Sequence, residues 1–212
     1  GRTALANQLR GLLAEYGVIV EKKIAYLRKE VPSILEDAEN QLTVTAREFI
    51  SDLYEELLGL DKKIQKNETK SDALLSHNDD YQRLQTIPGI GPITSRGIIC
   101  SVNDARQFKN GRQMAAWIGL TPKQHASGDK SRMGAISKRG NNSLRKRLIH
   151  GARAVVRWCE GKDDALSLWL QNLLKTKHKN KVVVALANKL ARMAWALLSK
   201  GEEYNPSVFA GK

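Results

Sequence analysis

The chain has 212 residues, and its 42% hydrophobic content is enough for a packed core, which argues against a disordered protein. Its net charge of +13 is uneven: residues 81–157 carry 15 Lys and Arg against 2 acidic residues, whereas residues 1–80 carry 11 against 15. Such a block favours a polyanionic partner, most simply nucleic acid. No apolar run reaches the roughly 18–20 residues of a membrane span, and no signal-peptide core is found, so we expect an intracellular protein without a membrane partner.

The chain begins inside a predicted amphipathic helix. Leucines in "TALANQLRGLLAEYG" recur at helical spacing, and Gly17 follows where a C-cap glycine is expected. Because the pattern is already under way at residue 1 and no initiator Met precedes it, residues 1–20 are interpreted as the last helix of a missing N-terminal domain. A purification-tag remnant is the alternative explanation for Gly1.

Residues 21–80 are predicted to form a helical arm. A short helix near residues 21–30 is followed by a restart at Pro32-Ser33, and residues 45–76 carry the strongest periodicity of the chain. Their steps of three and four match a coiled-coil seam that includes two polar positions: Ile50, Leu53, Leu57, Leu60, Ile64, Asn67, Ser71 and Leu74. The pattern predicts a dimerising coiled coil. The alternative is one arm of an intramolecular hairpin that packs on residues 3–37.

The third region, residues 81–212, opens with a Gly- and Pro-rich turn between two apolar helices. The stretch "LQTIPGIGPITSRGIICSV", residues 84–102, is typical of a helix-hairpin-helix. Gly89 and Gly91 would let the backbone approach a ligand closely, and the second helix would direct free N–H groups at a phosphate. This favours contact with a DNA or RNA backbone. A turn that serves only internal packing is the alternative.

The rest of the chain shows helical patterns and no predicted strand. Helices are expected within residues 104–118, 142–158, 163–175 and 180–199, and a basic, serine-containing loop occupies 121–142. Arg145 and Lys146 are expected on the outward, nucleic-acid-binding face of the helix at 142–158, and Trp158 in the core or an interface. The predicted fold class is all-α: a coiled-coil arm followed by a compact helical domain that contains the helix-hairpin-helix.

The basic block lacks the carboxylates of a metal-dependent nuclease site. Asp104 and Asp129 are its only acids, whereas a two-metal phosphoryl-transfer site needs several. The four histidines and two cysteines of the chain show no metal-ligand spacing. We therefore assign no metal to this chain.

A serine in the loop is the candidate nucleophile. A serine that attacks a phosphodiester needs small neighbours for access and cations to stabilise the developing charge. Ser127, followed by Gly128, Lys130 and Arg132, meets both needs. Ser131 and Ser137 remain rivals on composition, and a loop that only grips phosphate remains the simpler interpretation.

The sequence resembles a known family. The stretches "LQTIPGIGPITSRGI" and "FKNGRQMAAWIGLTPKQHASGDKSRMGAISKRGNNSLRKRLIHGARA" are similar to the C-terminal transposase domain of DEDD-type insertion-sequence transposases. These are relatives of the pilin-gene invertase and are described as bridge-RNA-guided recombinases. The resemblance covers about residues 81–200, and "GLTP…SGDKSRMGAISKRGN…LR" is its most specific part.

The resemblance implies a role for each part of the chain. Ser127 would join covalently to DNA during strand exchange, Ser137 would have a structural or phosphate-contacting role, and Lys130, Arg132, Lys138 and Arg139 would bind that strand. The coiled coil would support a homodimer or homotetramer. A guide RNA would select target and donor DNA by base pairing, in the bacterial cytoplasm and at the nucleoid.

The resemblance also implies a missing part. In the family an N-terminal RuvC-like domain supplies four acidic residues and a divalent ion, expected to be Mg²⁺, whereas residues 1–20 contain only Glu15. We therefore expect no cofactor in this chain and no complete cleavage by it alone. The rival functions are a non-enzymatic helix-hairpin-helix nucleic-acid-binding module and a structural assembly domain.

Overall fold

The computed structural model describes residues 1–127 and 130–206, with side chains described outside 125–132. Within those ranges it contains nine α-helices, a 3₁₀ turn at Ala105–Gln107 and one two-stranded sheet, so the predicted all-α class is confirmed. The helices are α1 Arg2–Glu15, α2 Ile24–Glu36, α3 Val44–Leu75, α4 Asp79–Gln85, α5 Pro92–Ser101, α6 Gly111–Ile118, α7 Asn142–Arg157, α8 Ala165–Thr176 and α9 Lys179–Lys200, and the strands are β1 Pro122–Ser127 and β2 Lys130–Ile136. The chain divides into two compact units, residues 1–73 and 74–212.

The first unit is a three-helix arrangement around one apolar core. The core takes leucines from α1, Leu27 and Val31 from α2, and Ile50 and Leu57 from α3. These α3 residues belong to the predicted coiled-coil seam, so the N-terminal half of that seam packs within the chain, as the intramolecular alternative supposed. Farther along the seam, Leu74 is 73% exposed. Pairing with a second chain through this distal half stays a prediction.

Helix α2 continues through Pro32, so the predicted helix restart at that residue is wrong. Proline has no N–H and therefore leaves the carbonyl oxygen four residues earlier, that of Arg28, without its helical donor. The hydroxyl of Tyr54 in α3 donates to this oxygen at 3.0 Å. A side chain from the neighbouring helix thus replaces the missing backbone hydrogen bond, and the helix is kept intact.

Arg47 closes the other end of α2. Its guanidinium donates to the carbonyl oxygens of Leu35 and Asp37, both at 2.7 Å, and to the Asn40 side chain at 2.6 Å. The last carbonyls of a helix have no partners within it, so this side chain of α3 acts as the cap.

The second unit is built around α9. Its buried residues form one face that packs against α4, α6, α7 and α8. By length and a mean hydropathy of 1.4, α9 could also cross a membrane, but the core helix of a folded domain passes the same test, and this helix occupies that position here. It ends at Gly201, which adopts the left-handed conformation with φ of +68°.

The basic segment contains a β-hairpin, which the sequence analysis did not predict. Strands β1 and β2 pair antiparallel, with an irregularity between Pro122 and Gln124. The segment predicted as a loop over residues 121–142 is therefore largely strand. Its residues are polar and basic, so the apolar alternation that marks a half-buried strand is missing. In the sequence, the dipeptide Gly128-Asp129 is a typical hairpin signal, and it could have predicted the paired strands.

Candidate nucleic-acid interface

A tight turn joins α4 to α5. The N–H of Ile90 donates to the carbonyl oxygen of Ile87 at 2.9 Å, across Pro88 and Gly89. Gly89 has φ of +90°, the conformation that favours glycine at the third position of a type II turn, with proline at the second. Both isoleucines are buried, so the turn is held against the core at its two ends.

The turn packs directly on α7 through a pair of glycines. A Cβ on Gly151 would overlap the carbonyl oxygen of Gly89, and a Cβ on Gly89 would lie 2.9 Å from a methyl carbon of Val155. Gly89 is therefore in contact with the protein itself, which corresponds to the packing role considered as the alternative. The contact fixes the turn against α7.

Gly91 has different surroundings. It is exposed, caps the N-terminus of α5, and has open space where a Cβ would lie. Arg147 of α7 lies beside the first turns of the same helix: its guanidinium crosses Gly97 and is 3.5 Å from the carbonyl oxygen of Ile93. A backbone N-terminus and a cation are thus close to each other at this point.

The hairpin register places Ser127 directly opposite Lys130, and His125 opposite Arg132. The side chains of Ser127, Lys130 and Arg132 lie outside the described part of the structure, so their predicted roles stay predictions. The backbone pairing makes Ser127 and Lys130 cross-strand neighbours at the ends of the two strands.

After the hairpin the chain is anchored to the segment that precedes it. The N–H of Ser137 donates to the carbonyl oxygen of Thr121 at 2.8 Å, and the N–H of Lys138 donates to that of Gly119 at 3.2 Å. Lys138 and Arg139 are exposed, and Lys138 has a positive φ of 55°. Lys138 and Arg139, which are predicted to bind phosphate, therefore belong to a segment whose backbone is held by hydrogen bonds.

The predicted outward placement of Arg145 is wrong. Only 7% of this residue is exposed, and its guanidinium donates to the carbonyl oxygen of Ile118 at 2.9 Å and to the side chain of Asn142 at 2.8 Å. These hydrogen bonds tie α7 to the end of α6. Arg145 thus has a structural role within the described fold.

The outward face of α7 carries a stripe of exposed cations. Lys146, Arg153 and Arg157 are exposed and are spaced by seven and four residues, which puts them on one side of a helix. At 1.5 Å per residue the stripe is roughly 16 Å long, or about five base steps of duplex at 3.4 Å each. Trp158 follows the stripe and is 64% exposed, with the Arg157 guanidinium 5.2 Å from its ring centre. A place in the core is therefore wrong for Trp158, and a place in an interface stays a prediction.

Negative charge around this surface is small. Asp104 pairs with Arg106 at 3.1 Å, and the hydrogen bonds from Arg106 hold the pKa of that carboxyl below its usual range. Across the described residues, no group of three or more His, Cys, Asp or Glu is arranged to hold a metal ion.

This surface lies in a segment that matches a known family. Residues 81–166, which include the turn, the hairpin, α5, α6 and α7, match the family described as "Transposase IS116/IS110/IS902 family". Over these residues the chain is similar to a transposase domain of this family. The resemblance seen in the sequence is thereby confirmed.

Relatives of the transposase domain extend the similarity over most of the chain. A probable family 20 transposase of Pseudomonas aeruginosa is 46% identical over 97% of this chain and 61% of the relative. The transposase for insertion sequence element IS1111A of Coxiella burnetii is 45% identical over 96% of this chain and 56% of the relative. A pilin gene-inverting protein of Moraxella bovis is 26% identical over 59% of this chain. The chain therefore spans about three fifths of the length of the first two relatives.

The sequence locates the basic segment and predicts that the helix at 142–158 carries an outward cationic stripe, in which Arg153 and Arg157 are included. Helical spacing predicts this stripe, which the structure describes from Lys146 to Arg157. The sequence did not associate Arg147 with α5. The contact between Arg147 and α5 joins residues more than 50 positions apart, so no local pattern encodes it.

Proposed function

We propose that this chain is the strand-handling part of a DNA transposase or recombinase that uses Ser127 as its nucleophile. One observation carries the proposal: the 15 cations and 2 acids that account for the net charge lie in residues 81–157, inside the range that matches a transposase family. A charge block of this size binds nucleic acid chiefly through the phosphate backbone, which is what a sequence-tolerant strand-transfer domain requires.

In the proposed reaction Ser127 Oγ attacks a DNA phosphate. The Oγ–P bond forms while one P–O bond of the strand breaks, the serine proton passes to solvent, and the departing strand oxygen takes up a proton. The bond count at phosphorus is unchanged, so a hydroxyl of another strand can reverse the step and complete the exchange. Lys130, opposite Ser127 in the hairpin register, and Arg132 would offset the charge that develops on the phosphate oxygens.

The phosphate contacts away from Ser127 are assigned to two surfaces. Lys138, Arg139 and the α7 stripe that begins at Lys146 would bind the reacting strand. The exposed α5 N-terminus at Gly91, supported by Gly89 in the packed turn, would hold the backbone of an adjacent duplex or RNA segment in the manner of a helix-hairpin-helix.

Guide RNA would select the DNA sites by base pairing, so the chain itself needs no base-specific contacts. The expected Mg²⁺ does not fit the described residues of this chain, which offer no suitable ligand group, and no step is derived through it. Its ligands would come from an RuvC-like domain. A protein that acts on bacterial DNA would work in the cytoplasm, at the nucleoid.

Self-association is assigned to the distal half of α3. Leu74 is an exposed seam residue there, and a homodimer or tetramer would bury it. Leu74→Glu is expected to shift the oligomer toward monomer in sedimentation velocity, whereas Val44→Glu, at an exposed position outside the seam, leaves it unchanged. A monomeric unsubstituted chain, or a Leu74→Glu variant that still assembles fully, contradicts this assignment.

The nucleophile is tested by trapping the protein–DNA intermediate. The chain is fused to an RuvC-like domain and incubated with guide RNA and target DNA, and covalent adducts are separated under denaturing conditions. Ser127→Ala should abolish the adduct while leaving DNA affinity within about twofold, because a single hydroxyl contributes little to backbone binding. An adduct that survives Ser127→Ala and disappears in Ser137→Ala transfers the role to Ser137.

The second candidate is a non-enzymatic nucleic-acid-binding module. It is favoured by the exposed cap Gly91 and by the α7 stripe, both of which suit affinity without chemistry. This candidate predicts steep loss of binding with salt, no adduct in any variant, and an unchanged affinity in Ser127→Ala. Salt-insensitive assembly without nucleic-acid affinity would instead support a structural assembly domain.

A further inference from the structure

A second basic surface of the same unit lies away from the hairpin and α7. A groove of about 1340 Å³ runs between the N-terminus of α6, α8, α9 and the segment at 202–206. At one end of the groove, α6 and α9 contact each other closely at Gly111. A Cβ on Gly111 would lie 2.9 Å from the Cα of Arg192, so the two backbones are in contact there. The volume exceeds the roughly 300–1000 Å³ of pockets for single small molecules, so the groove has room for an extended ligand.

The lining combines cations with the half-buried indole ring of Trp169. The ammonium nitrogen of Lys189 lies 4.4 Å from the ring centre of Trp169, with Arg192 three residues along α9 and Arg112 exposed on α6. Neither arginine has an ion-pair partner among the residues that the structure describes. The groove therefore carries two unpaired cations beside a tryptophan.

Lys189 and Trp169 could both contact a ligand that carries a flat aromatic ring and an anionic group. Burial, followed by the charge of Arg192, lowers the pKa of Lys189, which means that the protein alone disfavours its charged form. A flat ring that enters on the indole would replace the ammonium there, and an attached phosphate would then pair with Lys189. Trp195 also lines the groove, and its indole N–H donates to the carbonyl oxygens of Ala105 and Phe108, which fixes the orientation of its ring.

The C-terminal segment of the lining offers acceptors. Glu202 and Glu203 line the groove on the C-terminal segment, and Glu202 lies 3.6 Å from Lys200, which leaves Glu203 as the more available carboxylate. A carboxylate repels phosphate but accepts hydrogen bonds from an exocyclic amino group, such as that of cytosine, which uracil lacks. Cations, a stacking ring and a carboxylate at the edge together match a nucleotide whose base is unpaired.

We propose that this groove binds a short unpaired segment of nucleic acid, with a base on Trp169, phosphates on Arg112, Lys189 and Arg192, and a preference for cytosine over uracil through Glu203. The groove does not include Ser127. This proposal rests on the proposed function only in assuming that the protein binds nucleic acid. RNA and single-stranded DNA share the required base and phosphate, so both are test ligands.

The test measures binding of labelled oligo-C and oligo-U RNA, oligo-dC DNA and a DNA duplex by fluorescence anisotropy. Trp169→Leu is expected to weaken binding of the single strands about tenfold, the order of one stacked base, and Trp169→Phe to retain most of it. Arg192→Ala should reduce the log–log salt slope of single-strand binding by about 0.7. Glu203→Gln should reduce the preference for oligo-C over oligo-U.

Matched controls separate this site from the α7 stripe. Lys181→Ala, exposed on α9 and outside the groove, should leave single-strand binding unchanged, and Arg153→Ala should weaken duplex binding only. Photocrosslinking of the unsubstituted chain to RNA that contains 5-bromouridine should label the segments that line the groove. This measurement does not depend on the folding of Trp169→Leu. Equal loss of duplex and single-strand binding in Arg192→Ala, or crosslinks confined to α7, would overturn the proposal while leaving the role of Ser127 untouched.

Discussion

Gly151→Ala tests the contact that joins the α4–α5 turn to α7. Alanine is the better helix former by about 1 kcal/mol, so on propensity alone the substitution should stabilise the protein. In the fold, however, the added methyl overlaps the carbonyl oxygen of Gly89 and lies 2.9 Å from its carbonyl carbon. Gly89 is held at a positive φ between two buried isoleucines, so the turn has little room to retreat.

The packing loss should exceed the propensity gain. Overpacking costs about 1–3 kcal/mol and more where backbone must move, so we expect a net destabilisation of about 2 kcal/mol and a fall of roughly 6 °C in the Tm of the second unit. The assay is thermal unfolding followed by circular dichroism. The matched control is Gly11→Ala, in an exposed helical position with no atom within 4 Å, which should gain up to about 1 kcal/mol. A Gly151→Ala variant at least as stable as the unsubstituted chain would refute the close contact.

Two further substitutions test other parts of the fold. Tyr54→Phe should cost about 1 kcal/mol by removing the hydrogen bond to the Arg28 carbonyl oxygen. In a double-mutant cycle by urea unfolding, this loss should shrink in a Pro32→Ala background, where a backbone N–H is restored, and an undiminished loss would argue against this role of Tyr54. Asp164→Ala removes the α8 cap and should cost about 1 kcal/mol at neutral pH. The Ser167 hydroxyl lowers the pKa of Asp164 in the folded protein. The stabilisation is therefore complete above the unfolded pKa of about 3.9 and is lost as the pH falls through the lower folded pKa. If the unsubstituted chain and Asp164→Ala still differ equally in stability in strong acid, that result argues against the cap.

Helices encoded by local signals were predictable from the sequence. The long helix expected at residues 45–76 is α3 at Val44–Leu75, and the one expected at 180–199 is α9 at Lys179–Lys200. Their apolar spacing lies within the helix, and the stop at Gly201 lies one residue beyond α9. Such patterns depend on near neighbours, so the sequence alone contains them.

Features that depend on distant partners were not predictable in this way. Pro32 predicts a helix break, and only Tyr54, which is 22 positions away, supplies the hydrogen bond that prevents it. Arg145 has the charge of a surface residue, but its carbonyl partner lies on Ile118. The candidate site shows the same division: its basic composition is local, whereas its hairpin and its glycine contact with α7 depend on pairings across the chain.

Peptide mapping of the trapped protein–DNA adduct identifies the residue that is covalently attached to DNA, and it is the most direct test of Ser127 as the nucleophile. Trypsin cuts after Lys123 and Lys130, which leaves Ser127 as the single serine of the peptide 124–130, and Ser137 is the single serine of the peptide 133–138. We expect a nucleotide remnant on the peptide 124–130, with fragment ions that assign it to Ser127. A remnant on the peptide 133–138, or an adduct that carries no serine linkage, would contradict this assignment.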